Sequence, residues 1–303
     1  MANGRQRDLV MTALSALAPG AGFEVGELPR PGGRRLRWVE TSSDGPTILL
    51  AAGAGDTVLD WGPVLPALAA DFHLVAYDRA GLGFSDPAPR TTLASQVEDL
   101  IAMLDRHGPA LLVGHSWGGL LVQLAAAAKP AKVAGLVLVD PTHEEVMAEV
   151  PVRLRLGSDL MLNWIVLLKA VGRFDKRLTA FGRGTAEVCS DDPEVQALVL
   201  DAYRASYAEL RQVAGIRTEN RLATRVAVAR RARAAAKTPD VPLTILTATR
   251  GKLPALQVRA AQLADQTAAA YPRGQHVVVD DAGHYVHHDQ PAAAAAAIKA
   301  AAG

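Results

Sequence analysis

Short runs of Val, Ile, Leu and Ala alternate along this chain with longer stretches whose apolar residues recur at helical spacing. Thr47–Ala51, His73–Tyr77, Ala110–Val113, Val133–Val139, Leu243–Ala248 and His276–Val279 are apolar without alternation. That is the pattern of strands covered on both faces. Leu93–His107, Gly118–Lys129, Ala255–Ala270 and Ala292–Ala302 read as helices between or after them. Strand–helix alternation of this kind predicts an α/β fold with a mostly parallel sheet flanked by helices. Arg35–Ser42 alternates polar and apolar instead, which predicts an edge strand near the start.

The rhythm breaks between Pro141 and Pro239, where Leu, Trp, Met, Arg and Ala recur at helical spacing and no strand pattern emerges. The expected organisation is a core made of residues 1–141 and 239–303, with residues 142–238 as a helical insertion. Pro141, Pro239 and Pro242 mark its edges, since proline disfavours helix continuation. At the N-terminus, Arg5 and Arg7 precede the apolar stretch Leu9–Ala18. This faintly resembles an export signal, but Asp8 opens the stretch and no clean small-x-small cleavage site follows. The expectation is an amphipathic helix in a cytoplasmic protein.

Composition narrows the function classes. Of 303 residues, 50% are hydrophobic and 21% charged, a globular balance. The formal net charge is +1, so no general affinity for nucleic acid is expected. The dense basic run Arg225–Arg233 reads as a solvated helix face. Cys189 is the sole cysteine, which excludes an intrachain disulfide or a thiolate metal site; an idle buried thiol is expected. No apolar run reaches the roughly 18 residues that span a bilayer, so no membrane partner is expected.

The chemistry concentrates at Gly114-His115-Ser116-Trp117-Gly118, a G-x-S-x-G motif between a predicted strand and a predicted helix. A serine at such a tight turn stands above the sheet, and small flanking residues tolerate the close approach. The following helix aims its first amides at a developing oxyanion. Tyr77–Asp86 (YDRAGLGFSD) and Gly283-His284 followed by Asp289-Gln290-Pro291 accompany it in order. On these motifs the chain, from about residue 35 to its end, resembles the α/β-hydrolase fold superfamily, as a serine hydrolase with a helical cap.

The resemblance implies an eight-stranded type of sheet, Ser116 as nucleophile and His284 as general base. His287 and His288 lie one turn further on, and His115 is expected to pack beneath the serine. Strand Leu243–Ala248 is usually followed by the acid, but Thr249-Arg250-Gly251-Lys252-Leu253 holds no carboxylate before Asp265. Asp140 ends Val133–Val139 beside the nucleophile strand, where catalytic groups gather in open sheets. Asp140 is therefore the expected acid, with Asp265 as the fallback and a helix-capping role for Asp140 as the plain alternative. The oxyanion donors are expected at the amides of Trp117 and Ala54. Relatives often carry His-Gly-x-Gly in that second loop, whereas this chain reads Ala52-Gly53-Ala54-Gly55. The loop lacks the Gly-Lys-Ser/Thr that phosphate cradling would need.

Epoxide hydrolases and haloalkane dehalogenases of this fold use aspartate where Ser116 stands. His143 and Glu144 lie near Asp140 without the paired spacing of a metal site. The expected activity is hydrolysis of a small-molecule ester or lactone through an acyl-enzyme, with no cofactor and no metal. Gly53, Met147, Met161 and Trp164 are candidate substrate contacts, and Phe174 and Phe181 are further apolar residues of the cap; packing among cap helices is the plain alternative for the cap residues. Carbon–carbon hydrolases or lyases and prolyl-type aminopeptidases also resemble the chain. A peptidase would need cap acids such as Glu144, Glu145, Glu149, Glu187, Asp191 or Asp192. A small-molecule receptor on the same scaffold is the reading from another class.

Overall fold

The computed structural model describes residues 2–303, with side chains from residue 4 onward. Eight strands form one sheet: β1 (Glu24–Pro29), β2 (Arg35–Glu40), β3 (Thr47–Ala51), β4 (His73–Asp78), β5 (Ala110–His115), β6 (Val133–Val139), β7 (Leu243–Ala248) and β8 (Gly274–Val279). Their order is β1-β2-β4-β3-β5-β6-β7-β8. β1 and β2 run antiparallel to their neighbours, and every other pair is parallel. The central strands β3, β5 and β6 are almost wholly buried, as unalternating apolar runs require.

Two expectations about the sheet edges change. Arg35–Glu40 is the second strand, because Glu24–Pro29 pairs outside it from Glu24↔Glu40 to Pro29↔Arg35. Gly26 sits across from Trp38, where a side chain would collide with the indole about 2.1 Å away. At the other edge β8 keeps Val277 and Val278 exposed rather than covered on both faces.

Helices follow the strands. α1 (Ala2–Leu17) precedes the sheet, and α2 (Leu65–Leu68) is a single turn. α3 (Leu93–His107) and α4 (Trp117–Ala128) flank β5. α5 (Glu144–Glu149), α6 (Val152–Ala170), α7 (Asp175–Cys189), α8 (Pro193–Ser206), α9 (Leu210–Ala223) and α10 (Val226–Ala235) occupy the stretch between β6 and β7. α11 (Pro254–Ala269), α12 (Val286–Asp289) and α13 (Pro291–Ala302) complete the chain. Thr92 caps α3 through a reciprocal box with Ser95. α1 is a helix as expected, burying Val10, Ala13, Leu14 and Leu17, and it packs mainly on α8. Two large apolar clusters lie on the two faces of the sheet, and a small third one (Phe174, Leu178, Tyr207, Val213) holds the inserted helices together.

Candidate active site

β5 ends at His115 and α4 begins at Trp117, so Ser116 makes the whole turn between them. Its φ of 50° is the left-handed region, which a non-glycine residue occupies only when its surroundings hold it there. Hydrogen bonds fix it on both sides. The Ser116 amide donates to the Val139 carbonyl at 3.0 Å, and the Ser116 carbonyl accepts from the amides of Gly119 at 3.0 Å and Thr142 at 2.9 Å. The flanking glycines are required sterically. A Cβ on Gly118 would lie 2.0 Å from the Ala51 carbonyl oxygen, and one on Gly114 would lie 2.6 Å from that of Gly118.

His284 follows β8 on a short turn, and its Nε2 lies 2.9 Å from Ser116 Oγ. On the other side His284 Nδ1 lies 2.5 Å from Asp140 Oδ2. Asp140, just past the end of β6, also has positive φ (40°), and its amide donates to the Leu246 carbonyl at 2.7 Å. Burial would raise its carboxyl. The hydrogen bond and charge of His284 and the ammonium of Lys252 outweigh that and hold it at about 2. Asp140 is therefore an anion throughout the neutral range. The arrangement is a serine hydroxyl, an imidazole and a carboxylate in hydrogen-bonded series.

Lys252 was not foreseen as part of this site. Its Nζ contacts the same Asp140 oxygen as His284 Nδ1. It comes from the loop after β7, where the superfamily resemblance led one to seek an acid. Thr142 is a second addition, its Oγ1 lying 3.4 Å from Ser116 Oγ. Asp265 stands elsewhere, on α11, with its carboxylate 2.6 Å from His276 Nδ1.

The glycine loop after β3 carries Gly53 and Ala54, and Gly55 bends it with φ of 84°. A buried polar network holds it. Arg79 donates to the carbonyls of Ala52 (2.7 Å) and Gly53, and pairs with Glu219 of α9 at 2.7 Å. Glu219 accepts from the Gly55 amide at 2.6 Å and from Gln96, whose own carbonyl accepts from the Trp117 indole at 2.7 Å. Tyr207, just past the end of α8, donates to the Gly55 carbonyl at 3.0 Å. Gly55 is thus tied through both its amide and its carbonyl to the segment between β6 and β7. The Trp117 amide belongs to the first residue of α4 and has no acceptor within its helix.

His115, which precedes the serine, is buried together with Asp60 and His287. His115 Nε2 lies 3.1 Å from the carbonyl oxygen of His284. Burial pushes its ring down to about 3, so it is neutral at pH 7. His288 differs: burial would lower it, but the hydrogen bonds and charge of Asp60 outweigh that and raise it. The next residue along from His284, Tyr285, faces a cavity of about 260 Å³ bordered also by Asp56, Phe181, Tyr203, Tyr207 and His288. The other apolar insertion residues are placed variously. Met147 is half-buried on α5, and Phe174 is core of the insertion. Met161 and Trp164 stand on the outside of α6, 55% and 53% exposed.

Among the described residues no helix is long and apolar enough to cross a membrane. The chain is 30% identical over 266 residues to an uncharacterized protein of Mycobacterium tuberculosis, covering 83% of this chain and 73% of that one. It is 34% identical over 103 residues to an uncharacterized protein of Bacillus subtilis, a match spanning 33% of this chain and 41% of the relative, well under half of its length. Among solved structures, an epoxide hydrolase from Acinetobacter nosocomialis superposes with a TM-score of 0.72 at 18% identity, over 98% of this chain and 96% of that one. The model of the alpha/beta hydrolase family matches residues 48–297, and the chain belongs to that family.

Proposed function

We propose that the protein is a serine hydrolase acting on a carboxylic ester or lactone. The observation that carries this reading is the unbroken series Ser116 Oγ, His284 Nε2, His284 Nδ1 and Asp140 Oδ2, with links of 2.9 and 2.5 Å. Ser116 attacks the carbonyl carbon while His284 takes its proton, and Asp140 stabilises the imidazolium. The amides of Ala54 and Trp117 receive the oxyanion. His284 then passes the proton to the departing alkoxide, leaving an acyl group on Ser116. A water deprotonated by His284 attacks that acyl group, the carboxylic acid departs, and Ser116 regains its proton.

The inserted helices, residues 142–238 in the expected domain division, act as the cap over this chemistry. Glu219 and Tyr207 tie two of them to the glycine loop, so cap and oxyanion loop are held as one unit. The cavity beside Tyr285 is where the acyl or leaving group lodges. Its volume of about 260 Å³ suits a small group rather than a long lipid chain.

The test is initial-rate hydrolysis of p-nitrophenyl esters of increasing acyl length. The reading expects turnover with an optimum at short chains, lost in Ser116→Ala. No turnover on any ester or lactone would overturn it and bring forward amide or carbon–carbon substrates, or a receptor role.

A further inference from the structure

α6 carries no fully buried residue in nineteen, although most of its positions are apolar. Its inner side is explained: Ile165, Val166 and Leu168 pack on the small cluster of Phe174, Leu178, Tyr207 and Val213. Its outer side is not. Leu156, Leu160, Trp164, Leu167 and Val171 follow steps of four, four, three and four, which places them in one stripe. All five are 49% to 72% exposed. At about 1.5 Å per residue the stripe runs roughly 22 Å along the surface. Isolated exposed apolar residues need no explanation, but a continuous stripe of this length does.

The charges around the stripe indicate what covers it. Residues 152–183 hold seven basic and two acidic side chains, a surplus of five in a chain whose net charge is +1. Both acids are already engaged, Asp159 by Arg221 at 2.6 Å and Asp175 by Lys169 at 3.2 Å. Arg153 and Arg155 at one end of α6, and Arg173, Lys176 and Arg177 beyond the other, have no carboxylate partner among the described residues. A second copy of the chain is a poor occupant. A two-fold contact along the stripe would bring these basic ends against one another. An apolar stripe with a tryptophan at its middle and unpaired cations at both ends instead matches the boundary between acyl chains and anionic head groups.

We propose that α6 is a membrane-docking helix, lying in the plane of an anionic phospholipid bilayer with its outer stripe in the interfacial region and its basic ends on lipid phosphates. The helix neither spans the bilayer nor needs the 18-residue apolar run that spanning requires. The inference concerns binding alone and is independent of the reaction proposed at Ser116.

The test is flotation with vesicles of phosphatidylcholine, alone or with about one third phosphatidylglycerol. Intrinsic fluorescence supplies a second readout, because Trp38, Trp61 and Trp117 are buried and Trp164 is the exposed indole. The full-length protein is expected to float with the anionic vesicles and not with the neutral ones, with a blue shift of Trp164 emission. High salt is expected to weaken the binding. Leu156→Ser with Leu160→Asp is expected to weaken it by roughly tenfold or more, with the melting temperature and ester turnover in solution unchanged. Flotation with neither vesicle, or flotation indifferent to the double variant, would overturn the proposal. So would a dimer in solution that Leu160→Asp dissociates, which would assign the stripe to a second copy.

Discussion

Asp140 illustrates how a residue's chemistry follows from where its strand stops. β6 lies next to β5, so a carboxylate one residue past its end comes within reach of the His284 imidazole arriving from β8. Asp140→Asn keeps the shape but loses the anion. It is expected to lower kcat by roughly 10³- to 10⁴-fold with the circular dichroism spectrum unchanged. Asp265→Asn is expected to leave kcat unaltered, because that carboxylate serves His276. The reverse outcome would move the acid to Asp265. Ser116 and Asp140 stand out in the sequence because a glycine turn and a strand end mark their positions, and His284 through the resemblance of Gly283-His284 to the superfamily's terminal motif. Lys252 was not, since whether a four-carbon side chain reaches Asp140 depends on the path of the loop after β7. Thr142 escaped notice for the same kind of reason: its hydroxyl approaches Ser116 in a loop whose path, with the Thr142 amide on the Ser116 carbonyl, no sequence pattern marks.

Between elements, the least legible feature is the Arg79–Glu219 pair, whose members are 140 residues apart in the chain. Arg79 stood inside a quoted motif, but nothing in the periodicity of Leu210–Ala223 singled out Glu219 as its partner. Removing one member of a buried pair leaves the other charge without compensation, which costs about 3–5 kcal/mol. Glu219→Gln should therefore lower the urea midpoint clearly. It should also slow turnover, because the Gly55 amide and Arg79, both bonded to Glu219, shape the glycine loop proposed to receive the oxyanion. Unchanged stability and rate in that variant would show the network to be incidental. The strands themselves were mostly readable, since a sheet buried on both faces leaves long apolar runs. β1 was not, because Glu24–Pro29 (EVGELP) has no such run and is a strand by virtue of pairing with β2.

For the whole molecule, the distribution of neutral histidines governs acid stability. Burial lowers His107 to about 4 and His115 to about 3, and it lowers His143 and His287 as well. In the unfolded chain each takes a proton near 6.5. Below that pH the unfolded state binds protons that the folded state refuses, so stability falls as the pH falls towards the folded values. Three groups act in the opposite sense: burial raises Asp78 to about 6 and Asp56 well above its ordinary value, and Asp60 raises His288, so the folded state binds protons there first. The four lowered imidazoles outnumber these three groups, and the balance is a loss. The melting temperature is expected to decline from pH 7 to pH 5, and a flat or rising profile would contradict this assignment of neutral rings. Of these rings only His115 is expected from the sequence to pack inside; the burial of His107, His143 and His287 depends on which distant segments the fold brings against them, such as Trp38 and His73 against His107. The helical character of residues 142–238 was legible, but the exposed stripe on α6 was not. Periodicity marks apolar faces without saying which of them find partners inside the chain.

The central claim is a covalent acyl intermediate on Ser116, and mass spectrometry of the intact protein tests it most directly. The protein is mixed with p-nitrophenyl butyrate and quenched in acid during turnover. The account predicts a mass increase of one butyryl group, located by peptide mapping on the segment containing Ser116 and absent in Ser116→Ala. Turnover that persists in Ser116→Ala, or an adduct on a different residue, would contradict it.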